Sequence, residues 1–201
     1  MKLITTFLVL FVLSVVPSAA QDASNTGDVP SWNVDRAHSS IGFKVRHLGI
    51  ATVSGHFNAY EATFVLDPSD VTTLSAQAKV DVASIDTENE RRDNHLRSDD
   101  FFDAENHPEL TFVTTSVRAI GDNRFELTGD LTMRGTTNEV VLEGEISDVV
   151  QQRGSMRVAI EAEGRLNRFD YGLRWDNLTE AGGLVVGEEV RLVLELSAVM
   201  Q

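Results

Sequence analysis

Eight stretches of the chain alternate apolar and polar residues with a period of two, from Ile41 almost to the C-terminus. A period of two puts every apolar side chain of an extended segment on one face. Ile41, Phe43 and Val45 share a face against Lys44 and Arg46. Between Thr52 and Leu66 the parity switches: Val53, Gly55 and Phe57 are odd, whereas Tyr60, Phe64 and Leu66 are even. The switch predicts a bulge or sharp bend near Gly55–Asn58. The pattern continues through Ala76–Val82, Leu110–Phe112, Phe125–Met133, Val140–Ile146, Met156–Leu166 and Val190–Leu196. Short turns such as Asp67-Pro68-Ser69-Asp70 and Gly121-Asp122-Asn123 join these runs, as expected of an antiparallel meander. Closing eight such strands removes exposed edges. The fold expected is all-β: an eight-stranded antiparallel up-and-down barrel, lipocalin-like, with one helical insertion. Barrels of this size are either filled by side chains or hollow around one ligand, and the pattern alone leaves both open.

Residues 1–20 read as an export signal. Lys2 is the positive start, Leu3–Val16 the apolar run, and Ser18-Ala19-Ala20 the small residues before a cut after Ala20. The run is short of the ~20 residues that a membrane span needs. Residues 21–30 read as a flexible leader and 31–200 as one domain. The location expected is periplasmic or secreted. The chain has no cysteine, so burial and sheet pairing alone must hold the exported domain together. The net charge is -14, and Lys2 is the only charge in the signal. Such a surface repels nucleic acid and anionic headgroups, so neither nucleic-acid binding nor stable membrane insertion is expected.

Residues 87–102 break the alternation. Thr87 and Glu90 are spaced as a capping box, Glu88 and Arg92 as an i,i+4 pair, and the helix is expected to end near Phe101-Phe102. His38, His47 and His56 recur every nine residues, but no H-x-H or H-E-x-x-H motif or cysteine accompanies them. The residues therefore predict no metal site. No G-x-S-x-G elbow or phosphate loop is present, and Gly182-Gly183 lacks the required strand–helix context. No catalytic residue is predicted. The alternative is a periplasmic enzyme with a site at the barrel mouth built from His38, His95 or a pair of acids. The inward parity carries small residues, Ala78, Gly129, Gly144, Ala162 and Gly164, which on a hollow reading leave an elongated void.

Several segments, in order and at their spacing, carry a family resemblance. They are Trp32-Asn33-Val34-Asp35 with His38–Phe43, Val53–Phe57, Arg92–Phe102, Pro108–Phe112, Leu127–Thr137, Asn167–Leu173 and Val186–Val190. The chain resembles the YceI-like family from Ser31 to Met200. The resemblance implies a lipocalin-like barrel that binds a polyisoprenoid or isoprenoid quinone in its lumen, with no covalent cofactor. It also implies a bacterial periplasmic or secreted setting and allows a homodimer.

The function expected is therefore noncatalytic carriage of a long apolar lipid. The tail is expected among Phe43, Val45, Phe57, Val80, Phe112 and Phe125. It should also meet Leu127, Leu131, Met133, Leu142, Val158 and Ile160. Phe101 and Phe102 are expected over one end of the barrel. Arg92, Asp93, His95 and Arg97 are expected to tie that lid to the rim, chiefly through ion pairs.

Overall fold

The computed structural model describes residues 29–175, 177–178 and 184–201. The expected signal and most of the leader lie outside the described residues, as do Gly182 and Gly183. Twelve strands form one antiparallel sheet: β1 (Ser31–Val34), β2 (Ser40–His47), β3 (Ala51–Phe57), β4 (Tyr60–Asp67), β5 (Asp70–Asp81) and β6 (Ile85–Asp86) precede the helix α1 (Glu90–Arg97). Then come β7 (Glu109–Ala119), β8 (Arg124–Met133), β9 (Thr136–Ile146), β10 (Val150–Gln152), β11 (Ser155–Asn167) and β12 (Val186–Met200).

Two barrel walls are each broken into two strands. β1 and β2 are parted by the short turn Arg36–His38, where the Asp35 side chain accepts the Ala37 N–H. β3 and β4 are parted at Asn58–Ala59, where the parity switches. Counting each broken pair as one wall, eight strands close the barrel. β12 pairs with β11 from Arg157↔Val199 to Asn167↔Glu189. Its other edge pairs with β2 from Glu195↔Ser40 and with β1 at Ala198↔Val34. The remaining walls follow chain order through β4, β5, β7, β8, β9 and β11. The expected antiparallel eight-stranded barrel with one helix is thus the observed fold.

Alternation builds each wall. In β8, Phe125, Leu127, Gly129, Leu131 and Met133 are buried, whereas Arg124, Glu126, Thr128, Asp130 and Thr132 are not. Trp32 and Leu66 are wholly buried at one end, joined by a hydrogen bond from Trp32 Nε1 to the Leu66 carbonyl at 3.0 Å. Phe57, Tyr171 and Leu173 are buried together toward the other end. Met156 departs from the inward face expected for it and is exposed, because it pairs with the short β10 flap and not with a barrel wall.

The insertion fills a gap. Across the Asn58 break the partner changes: β4 pairs with β5, whereas β3 pairs with β6, at His56↔Asp86 and Phe57↔Ile85. The chain from β6 through α1 covers the opening. The expected cap is corrected. Asn89 is the N-cap and accepts the Arg92 N–H. Glu88 has φ +61°, which turns the chain before the helix begins, so Glu88 and Arg92 are not a helical pair. Thr87 is also unavailable as a cap, because its N–H and hydroxyl both donate to Asp93 Oδ1. The helix ends at Arg97, ahead of the two phenylalanines, with Glu90 and Asp93 in its first turn and His95 and Arg97 in its last. That order suits the helix dipole.

Candidate functional site

An apolar cavity of about 200 Å³ runs inside the barrel. One water needs roughly 10–15 Å³ on the same measure, so the interior is a lumen and not a filled core. Its wall is almost entirely hydrocarbon. Among the described residues Arg168 is the only titratable side chain lining it.

Of the predicted tail contacts, Phe43, Val45, Phe57, Val80, Phe112 and Phe125 line this lumen, as do Leu127, Leu131, Met133, Leu142 and Ile160. Val158 is the exception. It shares the inward parity of β11, but it pairs with the fully buried Ala198 and packs in the core around Trp32. Parity assigns a face of the sheet, not a height along the barrel, and Val158 sits at the closed end.

Phe101 and Phe102 line the lumen together with Leu96 of α1. Phe102 meets Phe57 edge-on at 6.2 Å, and Phe57 meets Phe43 at 6.0 Å. The His95 ring sits edge-on to both Phe101 and Trp175, at 5.0 and 5.1 Å, and its Nε2 is 2.8 Å from Asp100.

The polar residues of the insertion are held mainly by hydrogen bonds, not by the ion pairs expected. Arg92 donates from Nε to the Thr87 hydroxyl and from Nη2 to the Thr87 carbonyl, at 2.7 and 2.6 Å. Asp93 is buried and accepts from Thr87. Arg97 donates to the Ala83 and Ile85 carbonyls, each at 2.8 Å. Arg92 also borders a polar cleft with Lys44, His56, Asp86 and Glu195, against the polar faces of β2 and β3. His38 lies elsewhere, exposed and 3.1 Å from Asp35. The structure therefore does not bring His38 and His95 together.

Many lining residues fall outside the predicted set, and three groups of them are instructive. Leu192, Leu194 and Leu196 of β12 were legible as one face. Ala62 and Ala76 are small residues on inward faces. Arg168 and Leu173 come from the segment after β11. Arg168 is 3% exposed and donates to the carbonyls of Leu173, Trp175, Val186 and Gly187. One planar fork thereby holds the start of β12 and the chain near Trp175 against the end of β11. No spacing in the sequence signals this, since its acceptors are backbone carbonyls.

Beside it, the Tyr171 hydroxyl is buried with no hydrogen-bond partner among the described residues. Burial, and secondarily Asp170, pushes its pKa from 10.0 up to about 12. The fold favours the neutral phenol over the phenolate, so stability is undiminished below the unfolded value of 10.0. It falls as pH rises from there toward about 12, because the unfolded chain ionises first. An absorbance titration should show Tyr171 ionising in that high range or together with unfolding. Tyr171→Phe should remove that phase without lowering stability at neutral pH. A Tyr171 that titrates at its ordinary value would contradict the burial.

These features define a class: a closed antiparallel barrel around an apolar lumen, with a helical insertion filling the one gap in its wall. Residues 32–198 match the model of the YceI-like domain, and the chain belongs to the YceI-like family. A UPF0312 protein of Staphylococcus epidermidis is 37% identical over 162 residues, covering 80% of this chain and 92% of that one. A Campylobacter jejuni YceI protein of known crystal structure is 32% identical with a TM-score of 0.69, covering 83% of this chain and 96% of that one. A polyisoprenoid binding domain from Saccharophagus degradans shares the fold with a TM-score of 0.61 at 16% identity, covering 86% of this chain and 99% of that one.

Proposed function

We propose that this protein carries a long apolar lipid, a polyisoprenoid or isoprenoid quinone, in the barrel lumen without transforming it. The observation that supports this most is the lumen itself, a single cavity of about 200 Å³ walled by hydrocarbon. Apolar cavities stay dry and accept hydrocarbon guests, and each methylene moved from water into such a site contributes ~0.8 kcal/mol. The fold neighbour from Saccharophagus degradans is described as polyisoprenoid binding, which favours an isoprenoid within that chemistry. Carriage without a chemical step fits a lumen whose one titratable lining group among the described residues, Arg168, is engaged with backbone carbonyls. In this reading the chain is exported to the periplasm or beyond, as the segments Leu3–Val16 and Ser18-Ala19-Ala20 suggest.

The test is to purify the exported protein, extract it with organic solvent and identify what is released by mass spectrometry. A prenyl lipid in stoichiometric amount is the expected result. A protein that releases none, and takes none up when offered, ends the proposal.

A further inference from the structure

The inward glycines do not create the void in the way their positions suggest. Each inward glycine of the barrel wall is already covered. A Cβ added at Gly55 would lie 2.5 Å from Phe43 Cζ and 2.7 Å from Thr87 Cγ2. One added at Gly129 would overlap the Phe112 ring, and one at Gly144 would lie 2.6 Å from Phe125 Cζ. The register explains the pairs. Phe43 is directly opposite Gly55, and Phe125 directly opposite Gly144. Phe112 is diagonal to Gly129, whose direct partner is Thr114. All three rings line the lumen.

From this we propose that the glycine–phenylalanine pairs set the bore of the lumen and so decide which tails it admits. Each ring is seated in the notch of the neighbouring strand and so drawn back from the lumen. The wall then gains an aromatic surface without giving up width. A polyisoprene chain carries a methyl branch on each unit and is wider than a straight methylene chain, so the seated rings are what admit a branched tail. The inference rests on the lipid-carrier reading and adds to it the residues that fit the wall to a branched tail.

Gly55 is the position to test, because an added methyl there meets only side-chain ends. At Gly144 it would strike the Glu161 carbonyl and disturb the sheet. The Gly55→Ala variant should push the Phe43 ring toward the lumen, which is the free volume beside it. Binding of geranylgeraniol and of straight-chain eicosanol, alcohols of equal carbon count, is compared by titration. The expected result is about tenfold or more loss for the branched alcohol and less than about threefold for the straight one, the scale that overpacking by a methyl produces. Adding Phe43→Leu to Gly55→Ala should restore the branched alcohol. If the wild type binds geranylgeraniol and Gly55→Ala leaves both alcohols unchanged, or weakens them equally, the glycines do not set the bore and the proposal falls. Should Gly55→Ala not fold, Phe43→Trp, whose larger ring overfills the notch at Gly55, carries the same comparison. A wild type that binds no prenyl alcohol would overturn the carrier reading instead. The bore is then decided by a crystal structure of Gly55→Ala: a Phe43 ring swung into the lumen supports it, and a ring still in its notch overturns it.

Discussion

Ala78→Trp should leave a folded barrel that no longer takes up lipid. Ala78 lines the lumen from the middle of β5, between Ala62 of β4 and Phe112 of β7. The small Ala62 on the adjacent β4 position leaves an indole room to extend toward the lumen. Its apolar surface enters a space that is already dry, so folding gains contacts and loses little. The ligand loses what the indole occupies. Displacing four or five carbons of tail forfeits roughly 3–4 kcal/mol at the cost per methylene, a several-hundredfold weaker Kd. Thermal denaturation should show a Tm equal to or above that of the wild type, while prenyl alcohol binding falls below detection. Unchanged binding in the folded variant would mean that the tail does not run past β5, and the lumen would lose its place as the binding site.

Much of this architecture is visible in residue order, and the reason is geometric. A side-chain period of two is a property of a single strand, so Phe125, Leu127, Leu131 and Met133 announce their face without knowledge of any partner. The break between β3 and β4 is equally local: Phe57 and Tyr60 are both buried, and no unbroken strand puts residues three apart on one face. Cross-strand facts are different. That β3 pairs with the two-residue β6 and not, like β4, with β5 depends on where the insertion settles, which no window of sequence contains. The glycines show the same limit. Their inward parity is legible, but a glycine on the inner wall reads as empty space until register places Phe43 or Phe125 over it.

The binding residues divide along that line. Those drawn from parity line the lumen wherever the strand passes the cavity, and Val158 falls outside because height along the barrel is set by strand stagger. Arg168 and Leu173 lie in a segment with no period, where position follows from tertiary contacts. The helix cap lies two residues beyond the one that the spacing suggests, because Thr87 offers the right side chain at the right spacing, yet spends it on Asp93. Capping signals name a residue type, and here Asn89 is equally eligible and already stands where Glu88 has turned the chain.

Thr87 and Asp93 also carry the second large effect. Asp93→Ala should loosen the insertion and lower stability by roughly 2–4 kcal/mol, the cost of leaving buried donors without their acceptor. Asp93 is 6% exposed and Thr87 4% exposed, so water does not replace the lost carboxylate. The Thr87 N–H loses its 3.0 Å bond, and the Thr87 hydroxyl, which also accepts from Arg92, loses the group it donates to. For a domain of this size the fall in Tm is roughly 5–15 °C. Asp93→Asn keeps one acceptor oxygen of the same reach and should recover part of that loss. The consequence extends to the lumen, because the same insertion presents Leu96, Phe101 and Phe102 to it. Amide exchange should accelerate across 85–102 more than in β8 or β9, and bound lipid should leave faster while the barrel stays closed. A Tm within about 2 °C of the wild type, with unchanged exchange in 85–102, would show that the insertion is held by Arg97 and by apolar packing, and that Asp93 is incidental to it.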